Sequence, residues 1–256
     1  MKAGLNLYSV KKLLQTEESF IDTVKALKDM GYDYVQYSGS PYDPEKIKRI
    51  IKATDMPIVL THVPVDLILN ETEKLVEEHL SFGCKNIGLG AIDEPSQDDE
   101  TAWKKRIEAL NQAGAKMKEM GAKFFYHNHH FEFQRFSTGE TVFEYMKKNA
   151  PNINFTLDSY WVQYGGCNPE TFADDMVGRI ECVHLKDYKI EREPLPSYVN
   201  KPNFAPVGQG NLNMPEIIRK WKAAGAKYFL VEQDNASFFD DPLEQVKFSI
   251  DYLKKI

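Results

Sequence analysis

Phe124-Phe125-Tyr126-His127-Asn128-His129-His130 is an apolar run that ends in three of the chain's six histidines. The run reads as a buried β-strand. Neutral imidazole is the commonest protein ligand for metal ions. Metal-competent side chains at the C-terminal end of a buried strand are what a (βα)₈ enzyme carries at the mouth of its pocket. The question is then whether other strands bring matching groups to the same end.

Working outward, similar short apolar runs occur at 3–7, 33–37, 57–62, 85–90, 122–127, 153–158, 180–185 and 227–232. Helical patterns lie between them near 17–30, 43–53, 69–82, 97–119, 139–149, 169–177 and 214–224, with a last one near 241–254. Met30-Gly31, Phe82-Gly83, Met120-Gly121 and Ala224-Gly225 supply the glycines that close helices. Eight strand–helix units in 256 residues predict an α/β fold, a single (βα)₈ TIM barrel spanning 1–256. The competing doubly wound sheet carries a Gly-rich phosphate loop after its first strand, where this chain has Tyr8-Ser9-Val10-Lys11-Lys12. The longest irregular stretch, 187–213 with Pro194, Pro196, Pro202 and Pro206, is expected to be a lid or binding segment.

Composition narrows the function. The chain is 42% hydrophobic and 27% charged with a net charge of −6, which fits a soluble enzyme and disfavours a broad nucleic-acid surface. No apolar stretch approaches the ~18 residues of a membrane span. The start of the chain lacks a signal peptide's apolar region, and three cysteines without CxxC spacing suggest a reducing compartment. A cytoplasmic protein with no membrane and no nucleic-acid partner is the expectation.

The strand ends then deliver His62, His127-Asn128-His129, Asp158, His184-Leu185-Lys186-Asp187 and Glu232-Gln233-Asp234. The last four come from successive strands, so a His–Asp–His–Glu set falls on one arc of the rim. Mixed N/O ligation suits Mn²⁺, Zn²⁺, Co²⁺ or Fe²⁺ better than Ca²⁺. Bland readings stand beside these: Asp158 as a helix cap, Glu232 and Asp234 as solvated charges, Lys186 as an exposed partner of Asp187. His129 reads as a competing ligand or substrate contact, because alternation puts it on the face of His127. His130 is expected to point away, His79 to face solvent with no role, and Glu132 to be a second carboxylate or a loop ion-pair partner. Trp161, Tyr160, Tyr8 and Tyr37 are candidate stacking surfaces for a sugar. Asn6 and Gln36, together with His62 and Trp161, are candidate substrate contacts.

With these residues in view, the chain resembles the xylose-isomerase-like barrel superfamily, in the branch called sugar phosphate isomerase/epimerase. The likeness rests on Tyr126-His127-Asn128-His129, Leu157-Asp158 followed by Trp161, His184-Leu185-Lys186-Asp187, Val207-Gly208-Gln209-Gly210 and Val231-Glu232, and it spans essentially the whole chain. It implies one divalent metal, Mn²⁺ first, held by Asp158, His184 and Glu232, with His127 standing where the family has its first Glu. In the sugar epimerases both glutamates also work as the acid/base pair on opposite faces of the substrate, and here only Glu232 remains. The resemblance implies a metal-dependent isomerase or epimerase for a sugar or polyol acting through an enediolate. The alternative is a lyase that dehydrates a keto-sugar or keto-inositol. An endonuclease IV-like phosphodiesterase and a non-catalytic sugar-binding barrel rank below these. Barrels of this kind often pair through their outer helices into homo-oligomers. Glu232 is the expected base, His129 or His62 its partner acid, and Lys186 the stabiliser of the enediolate. With no Gly-rich nest or Arg cluster after the last two strands, the expected substrate is not phosphorylated.

Overall fold

Along every strand of a barrel, alternate side chains point outward to the helices or inward to the axis. The computed structural model describes residues 1–92, 99–192 and 200–256. Its strands in chain order are β1 (Gly4–Asn6), β2 (Tyr34–Tyr37), β3 (Ile58–His62), β4 (Asn86–Leu89), β5 (Lys123–His127), β6 (Ile153–Asp158), β7 (Cys182–Leu185), β8 (Asp187–Arg192), β9 (Asn200–Ala205) and β10 (Tyr228–Val231). All but β8 and β9 form one closed parallel barrel, ordered β1-β10-β7-β6-β5-β4-β3-β2. The predicted (βα)₈ barrel is therefore present, and each of its strands lies within one of the apolar runs.

The helices are α1 (Glu17–Met30), α2 (Pro44–Thr54), α3 (Val65–Asn70), α4 (Thr72–Ser81), α5 (Glu100–Glu119), α6 (Val142–Asn149), α7 (Ser159–Tyr164), α8 (Pro169–Phe172), α9 (Met214–Ala223) and α10 (Pro242–Leu253). Side-chain caps fix several starts. Thr16 and Thr141 form capping boxes, and Asp43 and Asp241 each precede a proline in the first turn. Among the described residues no helix is long and apolar enough to cross a membrane.

Three expectations change. The single helix 69–82 is two, broken at Glu71, whose backbone leaves the helical region between α3 and α4. The pattern at 169–177 yields only the four-residue α8. The stretch 187–213 is not irregular throughout: β8 and β9 pair in an antiparallel ladder from Asp187↔Ala205 to Arg192↔Asn200. Pro194, Pro196 and the expected start of the fifth helix at 97 lie outside the described residues.

Inside the barrel, Tyr34, Leu60, Phe125, Cys182 and Leu230 make an apolar cluster separate from the large core between sheet and helices. This cluster is the floor of the pocket. Two residues further along the same five strands stand Gln36, His62, His127, His184 and Glu232. The period of two thus turns an apolar layer into a polar one within a single step up the axis.

Candidate metal centre and substrate cleft

In the polar layer, β5, β6, β7 and the end of β10 bring His127, Asp158, His184 and Glu232 together. All four are buried, and one ligand atom from each lies within 4.8 Å of the others. His184 Nδ1 is 2.7 Å from Glu232 Oε2 and 3.9 Å from Asp158 Oδ2, and His127 Nε2 is 3.8 Å from Glu232 Oε2.

Neighbours fix which atoms face inward. His184 Nε2–H donates to Gln36 Oε1 at 2.7 Å, which leaves the Nδ1 lone pair pointing into the cluster. His127 Nδ1–H donates to the Thr156 carbonyl at 3.3 Å, which leaves Nε2 free. Glu232 Oε1 accepts from Asn6 Nδ2 at 2.8 Å, so Oε2 is the free oxygen. Asp158 Oδ1 caps α7 through the Trp161 amide at 2.9 Å, and Oδ2 is left over. The cap reading of Asp158 is realised on one oxygen, and the other is left facing the cluster.

The leftover atoms, Asp158 Oδ2, His184 Nδ1 and Glu232 Oε2, are buried without a hydrogen-bond partner. Three convergent lone-pair atoms out of water are costly unless positive charge sits among them, and the Lys186 ammonium reaches only Asp158 Oδ2 and Glu232 Oε2. Orienting each ligand through its other polar atom is also how metal sites are built. The residues therefore fit a divalent metal ion, and the cluster can hold one.

Lys186, one step further up β7, is only 1% exposed. Its Nζ lies 3.3 Å from Asp158 Oδ2, 3.3 Å from Glu232 Oε2 and 3.2 Å from Asp234 Oδ2. This corrects the reading of an exposed lysine paired with Asp187. Burial alone would lower its pKa, but the three carboxylates reverse that and hold the ammonium above its ordinary range. Burial pushes Asp158 up to about 6, with Lys186 opposing. Glu232 is also raised by burial, yet Lys186 and His184 together bring it well below the carboxylate range. Three carboxylates and one ammonium leave a formal charge of −2, which one divalent cation would balance.

Above the cluster opens a cleft of about 600 Å³, lined by Tyr8, Ser38, His62, His129, Lys186 and Asp234 among others. A cleft of about 480 Å³ elsewhere, lined by Phe133, Cys167 and Phe172 among others, holds none of the ligand set. His62 stacks on His127 with ring centres 5.5 Å apart, and Ser38 Oγ is 3.3 Å from its Nδ1. A Cβ on Gly90 would sit 2.8 Å from His62 Nδ1, so glycine there makes room for this ring. His129 lies 4.6 Å from His127 and 5.4 Å from Trp161. Burial brings His62 and His129 each down to about 3. Both rings are therefore neutral at ordinary pH, able to give or take a hydrogen bond but not to act as the charged acid that was expected. Trp161 is partly exposed, and its ring lies over Lys186 at 5.1 Å.

Other expected roles move. Asn6 and Gln36, read as substrate contacts, hold Glu232 and His184. His79 does not face solvent: it is fully buried, its Nε2 bonded to Thr61 Oγ1 at 2.8 Å and its Nδ1 to the Leu75 carbonyl at 2.7 Å. Glu132 is neither a cleft carboxylate nor an ion-pair partner. It is buried and accepts from Tyr126 OH at 2.6 Å and the His129 amide at 2.8 Å, and burial raises it to about 7. His130 lies past the end of β5, with its ring 5.2 Å from Trp161, so strand alternation does not govern it. Tyr37 is packing, its hydroxyl tied to the Pro41 carbonyl.

Asp187 also has a different task. Its carboxylate accepts from the amides of Tyr188, Gly208, Gly210 and Leu212 at 2.9–3.1 Å. A Cβ on Gly210 would meet Asp187 Oδ1 at 2.2 Å, so the Gly208-Gln209-Gly210 turn closes over its own carboxylate. Sequence reasoning missed Asn128, whose Oδ1 accepts from the Asp158 amide, and Ser159, which clasps the Lys186 backbone. It also left Asp234 as a solvated charge. The step of two from Glu232 was the available signal for Asp234.

A family model described as xylose isomerase-like TIM barrel matches residues 24–256. An inosose dehydratase of Clostridium perfringens is 28% identical over 249 residues, covering 84% of this chain and 82% of its own length. A crystal structure of a sugar phosphate isomerase/epimerase from Parabacteroides distasonis covers 100% of this chain and 98% of its own, with a TM-score of 0.81 at 22% identity. A probable 3-DHS dehydratase from Bacillus anthracis covers 99% of each chain, with a TM-score of 0.70 at 15% identity.

Proposed function

The chain belongs to the xylose isomerase-like TIM barrel family, and from that premise we propose that it is a divalent-metal-dependent lyase that removes water from a keto-inositol or related keto-sugar. The observation that carries this reading is the similarity to inosose dehydratase, spread over more than four-fifths of both chains. Sugar isomerisation through the same enediolate is the second reading, favoured by the fold's likeness to a sugar phosphate isomerase/epimerase. Epimerisation by paired glutamates is disfavoured, because His127 occupies the first glutamate's place and burial keeps it neutral.

His127, Asp158, His184 and Glu232 would hold the ion, Mn²⁺ first and Zn²⁺, Co²⁺ or Fe²⁺ as alternatives. Once bound, the ion would supply Lewis acidity that eases loss of the proton beside the substrate's carbonyl. Glu232 accepts the proton on the carbon beside the carbonyl, with Asn6 keeping its carboxylate in place. Lys186 presents a fixed positive charge to the developing enediolate oxygen, which a dry site makes effective. His129 and His62, across the cleft, hydrogen-bond the departing hydroxyl. The proton taken by Glu232 leaves with that hydroxide as water, so the step is balanced. Trp161 covers one face of the ring.

The test is incubation of purified, Mn²⁺-loaded protein with a 2-keto-inositol, following the near-ultraviolet absorption of the enol form of the resulting 1,2-diketone. Turnover there supports the lyase. Ketose–aldose interconversion without dehydration would establish the second reading in its place.

A further inference from the structure

The top of the metal cluster contains one cation too many for a site that must accept another. Lys186 Nζ is equidistant, at 3.3 Å, from the two carboxylate oxygens that Asp158 and Glu232 offer to the ion. An ammonium at that spacing competes with a divalent cation for the same lone pairs. The same Nζ has a third partner that is no part of the ligand set, Asp234 Oδ2 at 3.2 Å. Asp234 is partly exposed and lines the cleft, so it draws the ammonium toward substrate and away from the ligands. The backbone cannot do this, because Ser159 pins Lys186 by its amide and carbonyl and leaves only the side chain free to lean.

We propose that Asp234 is a positioning residue that shares the Lys186 ammonium with Asp158 and Glu232, loosening its hold on those oxygens so that the metal can take them and keeping the charge aimed into the cleft. The proposal rests on the reading of His127, Asp158, His184 and Glu232 as the metal ligands. Without Asp234, Lys186 collapses onto the two ligand carboxylates and becomes the metal's competitor.

The test is a double-mutant cycle on Mn²⁺ affinity, read from the electron paramagnetic resonance signal of free Mn²⁺ with no substrate present. Lys186→Met is expected to bind Mn²⁺ more tightly than wild type, and Asp234→Asn about tenfold more weakly. In the Lys186→Met background the Asp234→Asn loss should shrink to about twofold or less. Asp234→Glu should restore most of the affinity in the Lys186-containing chain. If Asp234 acted only through its own negative charge, the loss would persist undiminished in the Lys186→Met background, and that result overturns the proposal. Unchanged affinity in Asp234→Asn, or no gain in Lys186→Met, also overturns it. A wild-type chain that binds no Mn²⁺ would remove the metal reading underneath, a failure distinct from the others because it appears before any substitution is made.

Discussion

On one side of the barrel mouth, β5, β6, β7 and β10 are neighbours and end in His127, Asp158, His184 and Glu232. On the other side, β1, β2 and β3 carry Asn6, Gln36 and His62 at or next to their ends. Both arcs stand at the same height above the apolar floor, and all of these residues but the partly exposed His62 are buried. The first arc carries the four ligand atoms that converge within 4.8 Å of one another. The second carries two neutral amides that reach over and hold two of those ligands, Asn6 on Glu232 and Gln36 on His184. The β2–β3 register shifts between Val35 and Gln36, an irregularity of the kind that re-aims a side chain beside a site. The difference teaches that a ligand-bearing arc needs a facing arc without charges of its own. A second charged arc would add electrostatic conflict, whereas an amide supplies direction alone.

Substitutions can break that division of labour. The largest effect is expected on the ligand arc: Glu232→Gln should lower turnover by about 10²–10⁴-fold, and unchanged activity on a confirmed substrate would remove Glu232 as base. Beneath the supporting arc, His79 is buried and brought down to about 4 from 6.5 by that burial. Its folded pKa lies below its unfolded one, so its contribution is complete above pH 6.5 and is lost as pH falls toward 4, for about 3 kcal/mol in all. The urea midpoint of His79→Gln should therefore fall less steeply than wild type across that window, and parallel slopes would contradict the assignment. Gln36→Leu should weaken Mn²⁺ binding about 10–100-fold, as loss of a ligand-orienting partner does. Equal affinity would return Gln36 to the role of a substrate contact. The smallest effect is expected for Ser38→Ala, which removes one 3.3 Å hydrogen bond to His62 and should cost about 1 kcal/mol or less in kcat/KM.

The barrel was legible because its strands are buried on both faces and so appear as continuous apolar runs. The β8–β9 hairpin was not, because its strands are largely exposed and charged, and β9 carries Pro202, a signature of loops and edge strands alike. The ligand candidates were legible as a set for a topological reason: successive strands place equivalent positions side by side, as the pairing of Asp158 with His184 shows. Their partners were harder to read. Asn6 and Gln36 are short of chemistry in one dimension, and only the closed ring brings residue 6 beside residue 232. His79 was misplaced by treating 69–82 as one helix. With α4 starting at Thr72, the buried residues are Leu75, Val76 and His79, one face of a single turn and a half. Lys186 was misjudged from its neighbour in sequence, Asp187, although its true neighbours are set by the step of two from His184.

The turn over Asp187 has a consequence for selectivity. In barrels of this class the loops after the last strands are where phosphate groups are commonly cradled by backbone amides. Here the amides of Gly208, Gly210 and Leu212 are already saturated by a carboxylate from the same chain. The protein carries its own tenant in that berth, tethered through β8. A phosphate arriving at this turn would have to displace Asp187 from three backbone amides before it could bind.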